Sequence, residues 1–217
     1  MARILCGIGA LFLVAAVAAA DSWPAATIKE VFSLNRDWFV RIIPGKSLGD
    51  TVGFAGSPKG PYARAEFYRR QPDRSYVLAT ETTLANPIAP VQFLVTDRGY
   101  LLTLDNWHNY GYGQVVVAYA PDGRRVASYT LKDLFTADEI ARFSHSTSSI
   151  QWRTETLYVR AGQQSVYLVL DDKGRELIVE PETGAWQQCQ RRGGVQQCRT
   201  TNAGRQWQPF REPALRK

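Results

Sequence analysis

The chain has 217 residues, of which 45% are apolar and 21% charged, and its formal net charge is +6. That length suits one domain or two small ones, and the composition excludes a mostly disordered chain and a polytopic membrane protein. Two histidines leave little material for a His-rich metal site.

Residues 1–20 read as a secretory signal peptide. Arg3 precedes an uncharged run from Ile4 to Ala20, which ends in Ala18-Ala19-Ala20 just before Asp21. The run is short for a bilayer span and rich in Ala, so cleavage after Ala20 is expected in preference to an uncleaved anchor. The mature chain is therefore expected to be exported, either periplasmic or secreted.

Next comes a stretch punctuated by Gly45, Gly49, Gly53, Gly56 and Gly60 with Pro44 and Pro58, which reads as a loop. Strand runs at 65–69 and 75–80 flank the turn Gln71-Pro72-Asp73-Arg74. Further strands are expected at 91–96, 100–105, 114–120 and 124–130, with turns at Asp97-Arg98-Gly99 and Pro121-Asp122-Gly123. Thr136-Ala-Asp-Glu139 fits a capping box and predicts a short connector helix, with an earlier turn around Leu131, Leu134 and Phe135. Strands resume at 149–153, 156–160, 165–170 and 175–180. The pattern predicts an all-β chain of antiparallel hairpins with one short helix.

Cys6 leaves with the leader, so Cys189 and Cys198 remain. In an exported protein such a pair reads as one disulfide, and Gly193-Gly194 between them lets the two arms return as a hairpin. Residues 187–217 hold six arginines and Lys217 against Glu212 alone, a net +6. Without Arg3, residues 21–186 carry a net −1. The expected organisation is a leader at 1–20, a β-sheet domain at 21–186 and a basic, disulfide-clipped appendage at 187–217. The appendage suits an anionic surface, such as lipid headgroups or a cell-wall polymer; nucleic acid is disfavoured for an exported chain.

Val115–Val126 aligns with Val166–Leu177 at an offset of 51, matching Gly123 to Gly174 and Arg124 to Arg175. A period of about 50 residues is the scale of a propeller blade. In the segment Tyr100–Phe135 a strand ends in Asp105, a loop Asn106-Trp107-His108 with glycines follows, and a hairpin leads to Leu131-Lys132-Asp133-Leu134. This segment resembles uncharacterised exported bacterial proteins with blade-like repeats. The resemblance spans 91–153. It implies a blade-like β-sheet fold and brings no activity or catalytic residues.

The densest polar cluster runs from Asp105 to Gly113. Asp105, Trp107, His108, Asn109 and Tyr110 are the candidate ligand-binding residues: an aromatic ring for stacking, and an acid and an amide for hydrogen bonds to a polar ligand such as a carbohydrate. The competing reading makes the same loop a structural connection. A Ser–His–Asp hydrolase could be assembled from Ser146, His108 or His145, and Asp105, but no Gly-x-Ser-x-Gly elbow is present. A calcium loop, a P-loop, a dinucleotide fingerprint and a CxxC motif are all missing, so no cofactor or metal is expected. The preferred function is a non-enzymatic binding or scaffold module, with the hydrolase as the alternative.

Overall fold

The computed structural model describes residues 23–159, 164–200 and 208–209. The expected signal peptide and most of 201–217 lie outside the described residues. Three antiparallel sheets follow one another along the chain. The first contains β1 (Lys29–Phe32), β2 (Trp38–Ile43), β3 (Arg64–Arg70) and β4 (Tyr76–Thr83). The second contains β5 (Pro90–Val95), β6 (Leu101–Asn106), β7 (Val116–Tyr119) and β8 (Arg125–Tyr129).

A connector then carries α1 (Leu131–Leu134), α2 (Ala137–Ile140) and the two-residue strands β9 (Ser144–His145) and β10 (Ile150–Gln151). The third sheet contains β11 (Leu157–Val159), β12 (Val166–Val169), β13 (Glu176–Val179), β14 (Trp186–Arg192), β15 (Val195–Arg199) and β16 (Gln208–Pro209). Each of the three is an open meander in which strands follow sequence order. The all-β expectation holds. The hairpins matched at an offset of 51 occupy different places: β7–β8 closes the second sheet, whereas β12–β13 lies inside the third.

The second sheet is the middle layer. Leu101, Val117 and Tyr119 pack with Val40, Ile42, Ala65 and Phe67 of the first sheet. Leu102, Leu104, Val116 and Ala118 face the other way and pack with Val166, Leu168, Leu177 and Val179 of the third. Burial on both faces explains why Val115–Ala120 is continuously apolar and does not alternate. Outer faces do alternate: Tyr167 and Ile178 point away from the main core and cluster with Cys189 and Cys198.

The connector helix divides into two single turns. Phe135 has extended backbone, which stops α1, and the equally extended Thr136 caps α2. Its hydroxyl accepts from the Glu139 N–H while the Glu139 carboxylate accepts from the Thr136 N–H, as the Thr136–Glu139 spacing predicted. Thr130 and Asp133 form a second capping box at α1.

Beyond β13 the structure departs from the expected appendage. β14 pairs with β13 from Trp186 to Cys189, so the boundary drawn after Trp186 falls inside a strand. Gln188 is fully buried and accepts from Arg199 Nε at 2.8 Å, and Arg199 also ion-pairs with Glu139 of α2. Trp186–Arg192 and Val195–Arg199 are thus strands of the third sheet, and Ile178 packs against their Cys189 and Cys198. Trp207 and Phe210 lie outside the described residues.

The Cys189–Cys198 disulfide joins directly opposed positions of β14 and β15, as the spacing predicted. Its ring is local, so reduction should cost no more than about 2–3 kcal/mol. Chemical denaturation with and without reductant measures this, and a larger loss would mean that the hairpin guides the whole sheet.

Glu139 supplies a pH-dependent contribution. Burial opposes its charge, but the Thr136 N–H and Arg199 outweigh that and hold the carboxyl below its usual 4.5. A carboxylate lowered in the folded state stabilises fully above its unfolded pKa and loses that stabilisation as pH falls through the folded value. The melting temperature of Glu139→Gln should therefore lie below that of the wild type at about pH 6, and the gap should close toward about pH 3. A gap that does not change with pH would refute an ionic role for Glu139.

Candidate functional site

The five candidate residues of the aromatic loop are brought together, but most are turned inward. Asp105 takes a left-handed conformation at φ 59° and is completely buried. One carboxylate oxygen accepts from Trp152 Nε1 at 2.7 Å and from the Gly111 N–H at 3.0 Å. The other accepts from Arg153 Nη2 at 2.8 Å and Nε at 3.2 Å. Arg153 is itself fully buried, stacks over the Tyr110 and Trp152 rings, and donates to Gln92 Oε1 and the Thr154 carbonyl. Removal from water pushes the Asp105 carboxyl up, and Arg153, Trp152 and Gly111 pull against that shift.

At Asp105, Asn109 and Tyr110 the geometry fits the reading of the loop as a structural connection. Asp105 spends both oxygens inside the protein. Asn109 is buried and donates to the Val52 carbonyl, and Tyr110 is buried beneath Arg153. Trp107 and His108 are half-buried. Trp107 donates to the Pro24 carbonyl at 2.9 Å and meets Trp23 edge to face, and the His108 ring lies against Trp23 and Phe54. Together these residues pin the chain start and the glycine-rich loop onto the second sheet.

Among the described residues, the contacts of the two histidines do not form a nucleophile–base–acid chain. Burial lowers the His108 pKa, and the ring's neighbours are aromatic. His145 is exposed, with Nε2 3.1 Å from the Ile140 carbonyl. Among the described residues no three His, Cys, Asp or Glu side chains gather in a way that could hold a metal ion.

A different concave surface lies at the turn end of the first sheet. Asp37, Arg69, Arg70, Gln71, Pro72 and Arg74 line an open recess of about 610 Å3. Two turns form its walls, Ser33–Asp37 between β1 and β2, and Gln71–Ser75 between β3 and β4. They are knitted together: the Arg70 N–H donates to the Asp37 carbonyl at 2.8 Å, and Tyr76 Oη donates to the Arg36 carbonyl at 2.6 Å. Asn35 ties the first turn to the second sheet through its N–H to Asp97 Oδ1 at 2.8 Å. Gly99 in that neighbouring turn has φ 83°, and a Cβ there would lie 2.6 Å from the Trp38 ring, so only glycine allows this close approach.

Among the described residues, no carboxylate lies within ion-pair reach of Arg69, Arg70 or Arg74. Arg69 rests over the Trp38 ring, 5.8 Å from its centroid. Nearby acid is already engaged: Asp37 accepts from Asn35 Nδ2, and Asp73 accepts from the Ser75 hydroxyl and N–H. The sequence reading placed Arg69 at the end of a strand and took Gln71-Pro72-Asp73-Arg74 only as a turn. The missed signal was three cations among six residues, set in a turn whose lone acid is held by Ser75. The chain matches no protein-family model, no curated protein and no solved structure.

Proposed function

We propose that the protein is an exported, non-enzymatic binding module that meets an anionic partner at the turn end of its first sheet. The observation that carries this reading is the recess lined by Arg69, Arg70 and Arg74, none of which has an ion-paired carboxylate among the described residues. Guanidinium groups held on a rigid β-scaffold attract oxyanions and can bind them in bidentate fashion. Export is supported by the leader pattern of residues 1–20 and by the Cys189–Cys198 disulfide. Of the cations in the basic segment, Arg199 is already engaged by Glu139 and Gln188.

Retention on phosphocellulose, compared with underivatised cellulose, tests the reading. The full-length protein should bind the charged support at low salt and elute as ionic strength rises, because screening tightens from about 30 Å at 0.01 M to about 8 Å at 0.15 M. The variant Arg205→Gln/Arg211→Gln/Arg216→Gln/Lys217→Gln should still be retained. Flow-through of the wild type at low salt would overturn the binding function. Loss of retention in the quadruple variant would move it to the basic segment.

A further inference from the structure

Resting on that reading, we infer that the Arg69–Arg70–Arg74 recess is a discrete site for closely spaced phosphate groups, of which pyrophosphate is the smallest probe. Its size favours more than one anionic group: about 610 Å3 is far more than a single oxyanion fills. The three arginines come from one short stretch of chain and all line the same hollow, Arg74 from a left-handed turn position at φ 70°. Trp38 beneath Arg69 gives that guanidinium a fixed seat without neutralising it. The backbone bond from Arg70 to Asp37 and the Tyr76 bond to Arg36 hold the two walls before any ligand arrives, so little ordering cost attends binding.

Asp37, also in the lining, disfavours a ligand that fills the whole recess with charge. It suits a ligand whose phosphates lie toward the arginines and whose neutral, hydroxyl-bearing part reaches the carboxylate and Gln71. Such phosphates could come from free polyphosphate or from the headgroups of an anionic bilayer, and the chemistry at the arginines is the same.

Isothermal titration of the full mature chain with pyrophosphate, and with inorganic phosphate, tests the site. Phosphatidylglycerol vesicles, with phosphatidylcholine vesicles as control, form the second arm. Pyrophosphate should bind at least tenfold more tightly than phosphate. The triple variant Arg69→Gln/Arg70→Gln/Arg74→Gln should lose at least tenfold in affinity, while Arg124→Gln in the β7–β8 turn should match the wild type. Binding of free pyrophosphate assigns the site to soluble phosphates; binding only to phosphatidylglycerol vesicles, lost in the triple variant, assigns it to headgroups. Should the triple variant fail to fold, wild-type backbone NMR decides: pyrophosphate must shift the amides of 69–75 and 35–38. Equal affinity in wild type and a folded triple variant, or shifts confined to other segments, overturns the inference. Retention on phosphocellulose without either response would leave the binding module standing and remove this site from it.

Discussion

Asp105→Asn is expected to destabilise the protein by about 3–5 kcal/mol, the usual cost of removing one member of a buried ion pair. Asn tolerates the left-handed backbone at this position, so the loss would report the charge and not the chain geometry. The Arg153 guanidinium, with no exposed surface, would be left facing a neutral amide. Trp152 Nε1–H and the Gly111 N–H would also share an acceptor weaker than a carboxylate. The double variant Asp105→Asn/Arg153→Met should cost less than the sum of the single changes, since it leaves no stranded charge. Urea denaturation of the four proteins measures the coupling. If Asp105→Asn costs less than about 1 kcal/mol, the carboxylate is not a structural anchor and its candidacy as a ligand contact revives.

Ending the chain after Trp186 should abolish cooperative folding of the third sheet. The truncation takes away three of the four cross-strand partners of β13, Gln187, Gln188 and Cys189, each pair worth about 0.2–1 kcal/mol. It also removes Cys189 and Cys198, against which Ile178 packs, a side chain whose full burial is worth about 1.5–3 kcal/mol, and it removes the Arg199 tie to Glu139. Together the pairs and the burial come to about 2–6 kcal/mol, a large share of the 5–15 kcal/mol that usually holds a domain folded. A chain ending at Thr200 keeps β14, β15 and the disulfide and should melt cooperatively. Thermal denaturation followed by circular dichroism compares the two. A chain ending at Trp186 that melts within about 3 °C of the longer one would restore the appendage reading.

How far the sequence could be read depended on how far apart the interacting residues lie. The β7–β8 hairpin was legible because Pro121-Asp122-Gly123 is a local turn signal between apolar runs. The cap at Thr136 and the Cys189–Cys198 bridge were legible for the same reason: all their partners sit within ten residues. β1 and β2 escaped notice because their turn, Ser33–Asp37, contains no glycine and takes its left-handed residue at Arg36, with φ 59°. Asp105 was misjudged because its partner Arg153 lies 48 residues on, and an acid in a polar loop reads as exposed until that partner is known. The charge of residues 187–217 suggested an appendage. Yet Gln188 is buried, its amide oxygen held by a guanidinium from the next strand.

The meander order also governs how the chain can assemble. Every described strand pairs with a neighbour in sequence, and most of the connections are short, the exception being residues 44–63 between β2 and β3. The long-range links run between sheets: Asn35 to Asp97 over 62 residues, Asp105 to Arg153 over 48, and Arg199 to Glu139 over 60. A chain that emerges amino end first can complete its first sheet before its second exists. The second cannot be shielded in the same way, because Leu102, Leu104, Val116 and Ala118 find their cover only in residues from Leu131 onward. The state most prone to aggregate is therefore the nascent chain that has finished two sheets and still lacks the third.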